Sequence, residues 1–337
     1  MTAYRPDRRA IGAWAAGAAF ACWAPPLLAQ APGGGPASAL PPGPAETDQV
    51  SPTKTDPSLR MTVPVMVNGK GPYDFVVDTG ANRTVICTEL AFALGLPSAG
   101  PAPLHSVAGM EMVETVSAES VQINGLAVPS GRLPVLPSNR LGAQGLLGVD
   151  GLGGRRLILN FKDHSLTITA GQPPPKREVL LIEVPARRRF GQLMIVDASV
   201  DQTPVVAFLD SGAQSTVGNL ALYNRVRINA EVLAPRQETL ILSATDQTAI
   251  GVVGTIPALR LGHLIIETTR GAFADLHAFE IWDLIKKPAI LIGMDVLSHF
   301  EWVEMDYGRS IAGFRLDRAN MPTEHKGDIG NQVIPFD

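Results

Sequence analysis

The sequence predicts a mostly β protein made of two copies of one unit. Three observations point there. A strand-like run ending in Asp, a hydroxyl residue, Gly and Ala occurs twice, as Asp78-Thr79-Gly80-Ala81 and Asp210-Ser211-Gly212-Ala213, 132 positions apart (78 to 210). A second block, Leu146-Leu147-Gly148-Val149-Asp150, returns as Leu291-Ile292-Gly293-Met294-Asp295. The 337 residues include 28 Pro and 33 Gly, which favours many turns and short strands over long helices.

Composition narrows the function classes. Apolar residues make up 45% and charged residues 18%, as in an ordinary globular chain. A net charge of −4 leaves no surplus of Lys and Arg to neutralise phosphates, so nucleic acid is not the expected partner. The length suits two domains, each able to bury a core.

The N-terminus reads as an address. Arg5, Arg8 and Arg9 precede an uncharged stretch from Ala10 to Leu28 that exits through Leu28-Ala29-Gln30-Ala31, the pattern of a secretory signal peptide. Cleavage is expected after Ala29, because Pro32 would follow a cut after Ala31. An uncleaved anchor is the alternative, and Pro25-Pro26 argues against a regular helix there. Arg8-Arg9 and Cys22 sit in poor contexts for a twin-arginine signal and for lipidation. The expected location is the periplasm or the exterior, with a mature chain that does not span the membrane. Once the signal is removed, Cys87 is the only cysteine, read as a buried apolar side chain.

The domain reading follows the composition. Residues 1–29 are the signal. Residues 30–57 are an extended linker, since 31–57 hold seven Pro and four Gly. The first half is 58–170. A Pro-rich break at Gly171–Arg177 opens a segment, 171–190, that carries a linker and a first strand. The second half is 191–316, and 317–337 is an uninformative tail. Within each half, a short helix is expected after the Asp motif, near Thr88–Leu94 and Gly218–Val226. A terminal hairpin is expected at Leu157–Ile168 and at Trp302–Leu316. Between the two blocks, Leu104–Val113 and Leu240–Val252 have small polar tips between alternating apolar flanks. Each suits a plain surface hairpin or a mobile flap, with tips at Ser106-Val107-Ala108-Gly109 and Ser243-Ala244-Thr245.

One Asp-Thr-Gly triplet would mark a turn. Two, each ending an apolar strand and each followed by the same downstream block, are stronger. Two carboxylates held together cannot both ionise cheaply, so they share a proton. The ionised one can act as general base on a water and the protonated one can donate to a carbonyl oxygen, each transfer contributing about 10²–10⁴-fold. No metal, cofactor or covalent intermediate is required. His105, His164, His263, His277, His299 and His325 are scattered without metal-ligand spacing, and no G-x-S-x-G elbow occurs. Gly151–Arg156 reads as a turn, Arg187-Arg188-Arg189 as a solvated turn before a strand, and Asp150 and Asp295 as local hydrogen-bonders.

On these residues the chain resembles the aspartic proteases, most closely the retropepsin-like group, here as two tandem copies in one chain similar to the bilobed pepsin arrangement. The resemblance covers about 61–168 and 191–316. It implies two β-barrel halves about a pseudo-twofold axis, with Asp78 and Asp210 as the catalytic dyad. Thr79 and Ser211 would brace the two loops, Gly80 and Gly212 would let them approach, and Gly148 and Gly293 would let a strand pass beneath. The implied substrate is extended polypeptide, the implied reaction is endopeptidase hydrolysis, and a monomer suffices. Two alternatives stay open: a non-catalytic peptide-binding module on the same fold, and a homodimeric protease with one catalytic half. Neither tip carries the Tyr that pepsins place in the flap. Ala81 and Ala213 stand where pepsins commonly carry a hydroxyl, so one hydrogen bond to the ionised carboxylate is missing. Activity is therefore expected from mildly acidic to near-neutral pH. A pH–rate profile peaking below about pH 3 would contradict this reasoning.

Overall fold

The computed structural model describes residues 13–14, 49–56, 59–151, 155–169, 181–189, 193–229, 237–267, 269–316 and 332–334. The segment expected to be a signal peptide apart from Ala13–Trp14, the Pro-rich break at Gly171–Arg177 and most of the tail lie outside them. Strands dominate, as the sequence predicts, and both halves follow one plan.

Each half opens with a hairpin. Strands Met61–Val67 and Lys70–Val77 pair antiparallel around Asn68-Gly69, and strands Leu193–Val200 and Thr203–Leu209 pair around Asp201-Gln202. All four turn residues have positive φ (+49°, +70°, +43° and +64°), the geometry that matches the twist of the flanking strands. The second strand of each hairpin delivers its Asp motif. A short strand and a helix then follow, Val85–Cys87 with Thr88–Ala93 and Val217–Gly218 with Leu220–Asn229. Cys87 is buried, and its Sγ accepts the Leu90 amide at 3.3 Å at the helix start. Burial raises its thiol pKa.

The apolar-apolar-Gly blocks are the last inner strands. Gly145–Leu147 runs parallel to Lys70–Val77 and antiparallel to Val85–Cys87. Ala289–Ile292 does the same with Thr203–Leu209 and Val217–Gly218. A strand with neighbours on both edges and cores on both faces must be apolar throughout, which is why these blocks carry no alternation. Leu146, Leu147, Leu291 and Ile292 are all buried.

The halves are joined by a shared antiparallel sheet. Its strand order is Gln49–Pro52, Ser165–Thr169, Arg156–Asn160, Trp302–Asp306, Ile311–Arg315 and Leu181–Arg189. At its centre Ile158 pairs with Glu304 and Leu159 with Val303, so the pseudo-twofold axis passes between these pairs. Leu157, Leu159, Val303 and Met305 are buried there. Two features differ from the sequence reading. Gln49–Pro52 and Lys54–Thr55, at the end of the expected linker, are strands, the second paired antiparallel with Met61–Thr62. Arg187-Arg188-Arg189 ends the strand Leu181–Arg189 instead of forming a turn, with Arg187 and Arg188 exposed. Val149–Gly151 makes one 3₁₀ turn, and Leu152–Gly154 fall outside the described residues.

Two further short strands pair with the second half: Ala13–Trp14, inside the segment expected to be cleaved, runs parallel to Leu240–Ile241, and Gln332–Ile334 runs parallel to Leu264–Ile266. No helix among the described residues is long and apolar enough to cross a membrane.

Candidate active site

The inner strands bring the two Asp motifs face to face. The Asp78 amide donates to Leu147 O and the Asp210 amide to Ile292 O, both at 3.0 Å. Thr79 and Ser211 then interlock across the axis. Thr79 Oγ1 donates to Leu209 O at 2.9 Å and accepts the Ser211 amide at 3.0 Å. Ser211 Oγ donates to Val77 O at 2.7 Å and accepts the Thr79 amide at 3.1 Å. Each buried hydroxyl thus makes one bond as donor and one as acceptor, all to the opposite half.

The glycines are required by proximity. A Cβ on Gly80 would stand 2.5 Å from Asp210 Oδ2, and one on Gly212 would stand 2.3 Å from Asp78 Cγ. Each loop therefore packs bare backbone against the carboxyl of the other. The loop amides also serve the carboxyls. Gly80 N donates to Asp78 Oδ1 at 3.0 Å, and Gly212 N and Ala213 N donate to Asp210 Oδ1 at 2.9 and 3.1 Å.

The next layer repeats with the same symmetry. Thr84 Oγ1 donates to Asp150 Oδ1 at 2.9 Å and accepts the Gly148 amide at 3.2 Å. Thr216 Oγ1 donates to Asp295 Oδ1 at 2.7 Å and accepts the Gly293 amide at 3.1 Å. A Cβ on Gly148 or Gly293 would meet the Arg83 or Ser215 carbonyl carbon at 2.5 or 2.7 Å, so these strands do pass directly beneath the Asp loops. Asp150 and Asp295 hold the ends of those loops.

Burial governs the electrostatics. Asp78 and Asp210 are fully buried. Desolvation pushes the Asp210 pKa up to about 6, against the opposing pull of the Gly212 and Ala213 amides and the hydrogen-bonded Asp78 carboxyl. Desolvation likewise raises Asp295 to about 6 and outweighs its bonds from Thr216. Ala81 and Ala213 are buried beside the dyad, where their methyl groups supply no hydroxyl.

Both hairpins expected between the blocks exist: Ser98–His105 with Met110–Ala118, and Gln237–Leu242 with Thr248–Ile256. Their tips meet. Ser106 Oγ lies 2.8 Å from Thr245 Oγ1 and 3.2 Å from Ser243 Oγ. Ser106, Val107, Ala244 and Thr245 are buried, while Ala108, Gly109 and Ser243 are partly exposed. Val107 joins an apolar cluster whose other buried members, among them Phe208, Ala213, Ile241 and Phe279, all come from the second half. Sequence reasoning identified the tips but missed what crosses between them. It also passed over His105, Glu111, Arg140 and His277. His105 Nδ1 lies 2.9 Å from His277 Nε2, and Glu111 Oε2 accepts both Arg140 Nη1 at 3.2 Å and the Asp246 amide at 3.0 Å. Nothing in the local sequence around these four residues signals their meeting.

Paired Asp-Thr/Ser-Gly loops locked across a pseudo-dyad define the retropepsin-like class of acid-protease fold. A family model described as aspartyl protease matches the chain at residues 63–150 and 196–296, more than half its length and once in each half. The chain belongs to the aspartyl protease family. A search of curated proteins found no match.

Removing either bracing hydroxyl leaves a buried carbonyl and a buried amide without partners, a loss of about 1–3 kcal/mol. Ser211→Ala should lower the thermal midpoint while Ser211→Thr retains most of it; calorimetry showing both variants at the wild-type midpoint would refute the brace. A second expectation concerns pH. Asp295 holds its proton in the folded chain at pH values where the unfolded chain has released it, because its folded value near 6 lies above the ordinary 3.8. Its contribution is fully present below about pH 4 and is lost as pH rises through about 6. Thermal melts of Asp295→Asn should therefore lose less stability across that window than wild type. Parallel slopes would refute the assignment.

Proposed function

We propose that the chain is an exported, single-chain aspartic endopeptidase that hydrolyses peptide bonds in extended polypeptide. The observation that carries this reading is the reciprocal lock of Thr79 and Ser211, which sets the Asp78 and Asp210 loops against each other within one chain. Asp78 and Asp210 share one proton. The ionised carboxyl takes a proton from water as that water attacks the scissile carbonyl carbon. The protonated carboxyl donates to the carbonyl oxygen, giving a neutral gem-diol. Collapse then returns a proton to the dyad and passes one to the leaving amine. The amides of Gly80, Gly212 and Ala213 hold the carboxyls in place throughout. An extended peptide suits a cleft roofed by two hairpins, whose edges offer backbone hydrogen bonds. The placement of both Asp loops in one chain favours this reading over a homodimer with one catalytic half.

Export rests on Arg5, Arg8, Arg9 and the uncharged run that follows. The mature protein recovered outside the cytoplasm should begin at Gln30; intact-mass analysis showing an unprocessed Met1 start would overturn cleavage.

Activity is tested with a diverse peptide mixture and product mass spectrometry across pH. Wild type should cleave, and Asp78→Asn and Asp210→Asn should each lower kcat/KM by about 10³-fold or more. If one substitution alone mattered, with activity rising with protein concentration, the homodimer would replace the single-chain dyad. If the folded wild type bound peptides without cleaving any, the peptide-binding module would replace the enzyme.

A further inference from the structure

Access to the dyad requires a conformational change, since both carboxyls are fully buried, and the first tip packs through Val107 into the same apolar cluster as Ala213 beside Asp210. What holds the tips therefore controls entry. Besides the Asp246 amide bonded to Glu111 on the hairpin arm, three contacts tie the first tip to the second half. Ser106 meets Ser243 and Thr245. Val107 packs into the apolar cluster of the second half, and its carbonyl accepts the Ala278 amide at 3.4 Å. Beside them, His105 Nδ1 lies 2.9 Å from His277 Nε2, with the two rings stacked 5.2 Å apart and 13° from parallel. The first two contacts do not change with pH. The third must.

A hydrogen bond between two ring nitrogens needs one proton and one lone pair. His277 Nδ1 faces Glu280 Oε2 at 3.3 Å, and a carboxylate there selects the tautomer that carries its proton on Nδ1. His277 Nε2 is then the acceptor and His105 Nδ1 the donor. A first further proton can sit on His105 Nε2, outside the contact, and leaves the bond intact; a second can enter only at His277 Nε2, and it leaves two N–H groups pointing at each other. The other charged groups around the joint are engaged elsewhere. Glu111, on the opposing hairpin arm, is taken by Arg140 and the Asp246 amide. Asp246, at the second tip, accepts from Gln247 Nε2 at 2.8 Å. Asp275, ahead of the helix His277–Ile281, accepts the Leu220 amide at 3.0 Å.

We propose that His105 and His277 form a proton-operated catch. The singly bonded pair holds the first hairpin shut over the dyad, and protonation of both rings releases it to admit polypeptide. Both are positioning residues, and the functional meaning of the catch rests on the protease reading of the dyad. Partial burial and the neighbouring His277 lower the His105 pKa, in keeping with a pair that stays neutral while closed. Opening and chemistry would then share a pH range, because the dyad also needs a retained proton to work.

The test is amide hydrogen exchange by mass spectrometry on the full chain at about pH 7.5 and about pH 5, corrected for intrinsic exchange, with peptides covering residues 104–113 and 240–252. In wild type, protection of both tips should fall about tenfold at the lower pH, as a one-unit pKa difference between shut and open hairpins would give. His277→Gln places a non-titrating amide oxygen near the Nε2 position and should hold the pH response below about twofold. His105→Ala should exchange fast at both pH values. An equal pH response in wild type and His277→Gln would overturn the catch, as would a wild type with no response. If His105→Ala fails to fold, the comparison of wild type with His277→Gln decides alone. Exchange is read without turnover, so a working catch on an inactive chain would refute the protease reading and leave the catch standing.

Discussion

Two hydroxyl groups, on Thr79 and Ser211, carry the constraint on which the rest of the site depends. Each donates to a carbonyl and accepts an amide from the opposite half, with all four distances between 2.7 and 3.1 Å. The partners are backbone groups immediately beside the Asp residues, so the lock fixes the carboxyls through the main chain without occupying them. It also explains the glycines that follow. Once the hydroxyls draw the loops together, the space left beside each carboxyl is too small for a Cβ. Neither half can satisfy these buried groups alone, and the site exists only as a joint product of the two.

The same closeness creates the site's chemical character. Two buried carboxyls with amides on one oxygen each form an environment where charge is expensive, and desolvation outweighs the amides at Asp210. The consequence is a proton held into the mildly acidic range. The outer layer follows the same rule: Asp295 is bonded twice by Thr216 and still has a raised pKa. Burial, more than any single hydrogen bond, sets how these carboxyls titrate. The closed roof maintains that burial, so the parts that shape the dyad's proton affinity are also the parts that must move.

Much of this was legible in the sequence because it is local and repeated. The two triplets, the apolar-Gly blocks, the helices after each triplet and the terminal hairpins each occupy a short window and occur twice. Their recurrence separates them from chance turns. Asp150 and Asp295 were legible as local hydrogen-bonders, although only the fold shows them meeting Thr84 and Thr216. What was illegible depends on partners far along the chain. Gln49–Pro52 lies in Pro-rich surroundings and becomes a strand only because Ser165–Thr169 offers it an edge. Three consecutive arginines suggest a solvated turn, yet an exposed strand end satisfies the same need for water. Val107 looked like one small apolar residue in a tip; its socket is assembled from residues beyond position 200. His105 and His277 are 172 positions apart, and no spacing rule connects them.

The sheet that joins the halves has a final consequence for how a ligand is oriented. In an assembly of two identical chains, the cleft looks the same from either end, and a peptide lying in it has no preferred polarity. Here the pseudo-symmetry between Ile158–Glu304 and Leu159–Val303 is geometric only, since one gene encodes both sides. The first half brings His105, Glu111 and Arg140 to the joint, and the second half meets them with His277 and the Asp246 amide. A chain threaded across it would meet different chemistry at its amino and carboxyl ends. Fusion of the two copies thus gives the groove a direction, and lets each flank change without altering the other.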